Sequence, residues 1–290
     1  MPAPATPHVP PGLAAASHRN MGAMPATPAF DFEAARAALR AARTAARAID
    51  PVPAAWIPPD MATAVALQRA VAADVGAVRG WKVSAVTPAQ QRAMGLEGPI
   101  AGPLLAPVVH PRGATLSTAR FVRPRIECEF AFELVRPLPA RSAAWTRDEV
   151  AAAVGCMRLG IEIVDSRLAP GSPLRLEIAD VLNNGAYVVG PAIDAWRDVR
   201  CADVRIVLER TASSGAREVV ATGDGRAVLD GDPFGAVVLL ANLKAFVGAG
   251  LPAGTLVTTG SCTGAPDLPG PGRYAADFGA LGCVDVVFAA

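Results

Sequence analysis

The stretch Arg125-Ile126-Glu127-Cys128-Glu129-Phe130-Ala131-Phe132-Glu133-Leu134 alternates strictly between two faces. Ile126, Cys128, Phe130, Phe132 and Leu134 fall on one side, and Arg125, Glu127, Glu129 and Glu133 on the other. Period two over ten residues, with aromatic and β-branched side chains, predicts a half-buried strand. At about 3.3 Å of rise per residue, Glu127 and Glu129 share a face with their Cα atoms about 6.6 Å apart. Neighbouring carboxylates repel unless something positive lies between them. Arg125 and water on a solvated acidic face are one answer. A divalent cation held by oxygen ligands is the other.

At 290 residues the chain can bury one large core or two smaller ones. It is 52% hydrophobic but only 5% aromatic, so that core rests on Ala, Val and Leu. A net charge of +1 with no basic block argues against nucleic acid and against an anionic membrane surface as partners. The apolar run Ala236–Ala241 stops at Asn242 and Lys244, far short of the roughly 20 residues a spanning helix needs. Five cysteines, odd in number and without a Cys-x-x-Cys pair, speak against a disulfide framework and against zinc. They read as small buried hydrophobes in a reducing cytoplasm.

The first thirty residues are rich in Pro and Ala, lack periodicity, and predict a disordered tail over 1–30. Next comes an N-terminal helical segment, 31–79. One helix spans Asp31 to Asp50, capped by Asp31 and stopped by Pro51 and Pro53, and a second runs from Met61 to Val78 behind Asp60. Residues 80–290 are expected to form the main domain. In Gly80-Trp81-Lys82-Val83-Ser84, a short strand, Lys82 is either a snorkelling surface residue or a desolvated cation beside an anionic site. Thr87–Met94 predicts a short capped helix and Gly95–Pro107 a loop. A helix is expected over Thr146–Gly160, with Asp148 and Glu149 at its N-terminus. Glu162 then sits inside an apolar run, where an ionised carboxylate needs either an arginine such as Arg158 or Arg167 or a cation shared with Glu127 and Glu129.

Further on, Asp180–Gly190 reads as a polar loop entering a strand. Val204–Glu209 and Glu218–Thr222 read as a meander, Pro233–Val247 as a helix, and Val284–Phe288 as a closing strand. Between them, Gly260-Ser261-Cys262-Thr263-Gly264 follows a strand, offers N–H groups and hydroxyls to an anion, and leads into a Pro/Gly loop to Gly272. No P-loop, nucleophile elbow or dinucleotide fingerprint occurs. His110 is the only histidine outside the tail, which argues against a histidine triad. Three carboxylates and one lysine remain. All-oxygen ligands favour Mg2+ or Mn2+ over zinc, and such an ion can chelate a 2-oxo acid and stabilise its enolate.

The chain resembles the 2-keto-4-pentenoate hydratase family, within the fumarylacetoacetate hydrolase superfamily. The resemblance runs from about residue 34 to the C-terminus. It rests on Gly80-Trp81-Lys82-Val83, Gly102-Pro103-Leu104-Leu105, Pro124–Ala131, Glu162–Arg167, Gly231-Asp232-Pro233 and Thr259-Gly260-Ser261. It implies an α+β fold, a mixed β-sandwich roll with flanking helices, in a cytoplasmic homo-oligomer. It implies Glu127, Glu129 and Glu162 as metal ligands and Lys82 as the catalytic residue. Arg125, Gly260, Ser261 and Thr263 are expected around a small 2-oxo or 2-hydroxydienoic acid. The implied reaction is hydration of 2-hydroxypenta-2,4-dienoate to 4-hydroxy-2-oxopentanoate in meta-cleavage catabolism. 4-Oxalocrotonate decarboxylation, acylpyruvate C–C hydrolysis and a non-catalytic keto-acid-binding role stand as alternatives. Two departures bear on the choice: Leu105-Ala106-Pro107 lacks an acid frequent in the family, and Ala179-Asp180-Val181-Leu182-Asn183 replaces the usual Ala-Asp-Asn-Ala-Ser.

Overall fold

A computed structural model describes residues 28–290, so most of the expected tail lies outside the described residues. Two sheets carry the fold. The larger has seven strands, in the order Ile100–Leu105, Val78–Ser84, Leu256–Ser261, Pro124–Leu134, Val154–Asp165, Asn184–Ile193, Val109–Pro111. The smaller has five: Arg217–Asp224, Arg205–Thr211, Gly272–Asp277, Cys283–Ala289, Thr115–Ser117. Both mix parallel and antiparallel pairs.

The alternating strand does what its pattern demands. Ile126, Cys128, Phe130, Phe132 and Leu134 are all buried and face the main core. Phe130 meets Phe278 edge-on at 5.5 Å, and Phe132 meets Phe234 at 5.4 Å. Such pairs add about 0.5–1.5 kcal/mol beyond the area they bury. The other face of the strand carries the glutamates.

The expected helix over Thr146–Gly160 is corrected. A helix covers only Arg147–Ala153, and Val154 begins a twelve-residue strand. That strand pairs with Pro124–Leu134 from Glu133↔Cys156 to Pro124↔Asp165, a ladder that overrides the local helix preference of the preceding alanines. The expected loop Gly95–Pro107 is also corrected, since Ile100–Leu105 is a strand buried along its whole length. Its continuous apolar run had no alternation to announce it. The Pro/Gly stretch likewise ends in an unforeseen strand, Gly272–Asp277.

The N-terminal helices are Phe32–Ala45 and Met61–Val75, capped by Asp31 and Asp60 as the sequence indicates. The first ends at Ala46 in the left-handed region (φ 47°), earlier than the prolines suggest. Ile49 then bridges to Leu168. Both helices share an apolar cluster with Leu105, Leu168 and Leu176, so the segment packs on the sheet rather than standing apart.

Candidate metal centre and substrate cavity

Register builds the site. In the antiparallel pair, Glu127 lies directly opposite Glu162, and Glu129 lies opposite Gly160. Residues two apart on one strand share a face, so three carboxylates converge. One oxygen from each of Glu127, Glu129 and Glu162 lies within 4.8 Å of the others. Gly160 is there for space: a Cβ would overlap the hydroxyl of Tyr187, a fully buried residue on the next strand.

Lys82 comes from the strand on the other side of Leu256–Ser261, through the parallel pairing Lys82↔Thr258. It is 7% exposed, and its Nζ is ion-paired with Oε1 of Glu162. The desolvated reading of this lysine therefore holds. The arginines considered as partners for Glu162 are engaged elsewhere. Arg158 grips Glu133 at 2.8 Å, and Arg167 binds Asp165 at 3.2 Å and Asp180 at 2.8 Å. Oε2 of the fully buried Glu162 has no hydrogen-bond donor among the described residues.

The electrostatics follow from crowding. Burial, and then the charge of Glu162, push the Glu127 carboxyl up to about 7, against the pull of Lys82. Glu129 is raised well above the ordinary carboxylate range by burial, Glu162 and Glu127. Burial pulls Lys82 down, but Glu162, Glu127 and Glu129 together outweigh it and leave the ammonium more basic than usual. Three carboxylates and one ammonium sum to −2, the charge a divalent cation cancels. Hard oxygen donors and an undonated Glu162 oxygen fit magnesium or manganese.

Beside this cluster lies a cavity of about 330 Å³, with Lys82, Glu127 and Glu129 in its wall. Arg125, Gly260 and Ser261 line it too. Gly260 sits at a bulge, where Thr258 pairs with Ala131 but Ser261 pairs with Glu129. Its φ of +105° is easy for glycine, and its N–H donates to Glu129 Oε2 at 3.3 Å. Ser261 Oγ donates to the Gly264 carbonyl at 2.7 Å, so that hydroxyl closes the turn. Thr263 is not in the cavity wall; its Oγ1 accepts from the Cys128 N–H at 3.2 Å.

No protein-family model matches the chain. It is 30% identical over 262 residues to 2-keto-4-pentenoate hydratase 2 of Dechloromonas aromatica, covering 89% of this chain and 97% of the relative. The chain belongs to the 2-keto-4-pentenoate hydratase family. A second member of similar likeness is a 4-oxalocrotonate decarboxylase of Pseudomonas putida, 31% identical over 210 residues, 72% of this chain and 76% of the other. Among solved structures, 4-oxalocrotonate decarboxylase from Pseudomonas putida G7, complexed with magnesium and adipate, superposes with a TM-score of 0.77. It is 25% identical, and 89% of this chain and 97% of that one are covered.

Within this family member, the two sequence departures fall in different places. Pro107 lines a separate cavity of about 460 Å³, on the side of Arg43 and Arg167. Leu182 and Asn183 line the metal-side cavity. Val181, Leu182 and Asn183 all have positive φ, at 56°, 50° and 55°. The preceding Asp180 is held by Arg43 at 3.3 Å and Arg167 at 2.8 Å. One cavity residue escaped the sequence reading altogether. Glu177, in the short helix Leu174–Ala179, is a further carboxylate in the wall. Its signal was an acid between Leu176 and Ile178 and three residues after Leu174, a spacing that puts it beside an apolar neighbour on one helix face.

Proposed function

We propose that this protein hydrates 2-hydroxypenta-2,4-dienoate to 4-hydroxy-2-oxopentanoate, with Glu127, Glu129 and Glu162 as ligands of Mg2+ or Mn2+. The observation that carries this reading is the triad of carboxylates with Lys82 beside a cavity whose wall includes Lys82, Glu127 and Glu129. When bound, the ion supplies positive charge to the carboxylate and 2-oxygen of the acid and lowers the energy of the enolate.

The protein's own residues do the rest. Lys82 enters protonated, because three carboxylates hold its ammonium above its usual basicity. It therefore acts as a donor and a fixed positive charge rather than as a base. Buried beside the carboxylate cluster, it is placed to stabilise the charge of a developing enolate as a preorganised donor. It also has a proton to give to C5 as the dienol, its enol O–H proton passing to solvent, becomes the 2-oxo-3-enoate. Water then adds its oxygen at C4 and a proton at C3, and solvent returns a proton to Lys82. The backbone N–H of Gly260 holds Glu129 in orientation. Arg125 contributes positive charge at the cavity wall.

Decarboxylation of 4-oxalocrotonate is the second reading, favoured by the similarity to the Pseudomonas enzymes of that name. Ultraviolet absorbance separates the two. A panel of 2-hydroxypentadienoate, oxalocrotonate and acylpyruvates is followed with and without magnesium. Magnesium-dependent loss of the pentadienoate chromophore, with 4-hydroxy-2-oxopentanoate as product, is the expected result. No turnover of that substrate by the metal-loaded protein would overturn the hydratase reading. The homo-oligomer expected from the family is checked by light scattering on the purified protein, and its cytoplasmic location by cell fractionation.

A further inference from the structure

The larger of the two cavities described above, about 460 Å³, has no part in the proposed reaction. It is a compartment of its own. Val164 lines the metal-side cavity and Asp165 this one, and Asn183 and Gly185 divide in the same way on either side of the fully buried Asn184.

Its wall is rich in arginine. Arg40 and Arg43 come from the helix Phe32–Ala45, three residues apart and so neighbours on its surface. Arg120 ends the short turn Thr118–Arg120, and Arg167 follows the strand Val154–Asp165. Two carboxylates share the wall, and both are already taken. Asp74 holds Arg36 through both oxygens, at 2.7 and 2.8 Å. Asp165 accepts the Val122 and Arg123 N–H groups on Oδ1 and Arg167 on Oδ2. Asp180, outside the wall, answers Arg43 and Arg167. Arg40 and Arg120 are left over. Both are exposed, and neither guanidinium has an ion pair or a hydrogen bond among the described residues. With Arg36 and Asp180 included, five arginines stand against three carboxylates. Pro107, from the stretch that lacks an acid frequent in the family, stands in the same wall and adds no charge. His110 lines it too, and burial and then the charge of Arg120 hold its imidazole below the ordinary range.

We propose that this cavity is a second ligand site, for a small dianion such as inorganic phosphate or a short dicarboxylate. Its volume lies within the range of roughly 300–1,000 Å³ typical of small-molecule sites. Arg43 and Arg167, with side chains 7% and 4% exposed, are pinned by Asp165 and Asp180. The unmatched charge belongs to Arg40 and Arg120. A guanidinium presents a planar fork of N–H donors that pairs with two oxygens of a phosphate or carboxylate at once. Two free forks and an excess of two positive charges fit a ligand with two negative charges better than one with a single charge.

Calorimetry on the full-length, magnesium-loaded protein tests this, with inorganic phosphate, succinate and, as a monoanion, acetate. One dianion per chain is expected to bind in this cavity, with acetate weaker by about tenfold or more. The better ligand of the two dianions decides between a phosphate and a dicarboxylate source. Arg40 and Arg120 are exposed, so the double variant Arg40→Ala, Arg120→Ala should keep its melting temperature. Its affinity for the dianion should fall by about tenfold or more. Pro107→Asp, which gives the wall a carboxylate of its own, should weaken binding in the same direction. Lys82→Met, on the metal side, should leave the affinity within about twofold. No saturable binding of either dianion up to about 10 mM overturns the proposal. So does acetate binding as tightly as the dianions, an affinity untouched by the double variant, or one that Lys82→Met removes as completely. If the double variant fails to fold, the single variants and Pro107→Asp carry the same comparison.

Discussion

At the scale of single residues, the site is governed by how few positive charges are set against how many negative ones. Lys82→Met removes the fixed charge nearest the developing enolate. It is expected to lower kcat on the order of 10²–10³, the usual cost of losing a preorganised donor, with metal affinity unchanged or higher. Steady-state rates at saturating magnesium and substrate check this. Glu127 gives a pH prediction. Its carboxyl titrates near 7 in the folded, metal-free protein, against an ordinary value of 4.5. The folded state therefore holds a proton that the unfolded state has released between those values, and stability falls as pH rises from about 4.5 through 7. Without metal, Glu127→Gln should melt higher than the unmodified protein at pH 8, and the gap should close toward pH 5. Magnesium competes with that proton, so its affinity should rise from pH 6 to pH 8, as calorimetry can show. Two of the proposed ligands, Glu127 and Glu129, were legible as a pair because carboxylates at i and i+2 on an alternating strand must share a face, whereas Glu162 showed only as a carboxylate inside an apolar run. The burial of Lys82 was not legible alone, since a lysine between two apolar neighbours reads equally as surface; the structure places it beside Glu162, on a strand paired with Leu256–Ser261.

At the scale of elements, the pair Pro124–Leu134 and Val154–Asp165 is the frame on which everything is hung. Its weak point is Gly160, where any side chain would collide with Tyr187. Tyr187 is fully buried and cannot step aside, so Gly160→Ala should destabilise the fold by about 2–3 kcal/mol. For a chain of this size that is a drop of several degrees in Tm, readable by calorimetry. Tyr187→Phe should be nearly neutral in stability, because the hydroxyl it removes has no hydrogen-bond partner among the described residues. The first of these strands announced itself through alternation. Its partner did not, because Val154–Asp165 is buried on both faces over most of its length and follows alanines that favour a helix. The same blindness hid Ile100–Leu105. Strands covered on both sides lose the period that betrays them.

At the scale of the whole molecule, the N-terminal helices reach the cavity without lining it. Arg43 donates to Asp180 and to the Asn184 carbonyl at 2.7 Å, bracketing the left-handed run Val181–Asn183. Arg43→Met leaves Asp180 with Arg167 alone. It should cost about 2 kcal/mol of stability, less than breaking an isolated buried pair. It should also raise KM by loosening Leu182 and Asn183, which thermal melts and steady-state kinetics would resolve. The sheet order has a consequence for the birth of the protein. Leu256–Ser261 is wedged between the strand that bears Lys82 and the strand that bears Glu127 and Glu129. A ribosome working at roughly 5–20 residues per second finishes the lysine strand about ten to thirty seconds before the wedge exists. Once Asp165 has been made, and until the wedge follows, the nascent chain carries its lysine and its carboxylates on separate, unjoined edges. An unpaired edge of apolar residues is a place where foreign strands attach. The last stretch of the message thus closes the candidate site, and a ribosome that stalls before residue 256 releases a chain with its three clustered carboxylates in hand and no seam to hold Lys82 beside them.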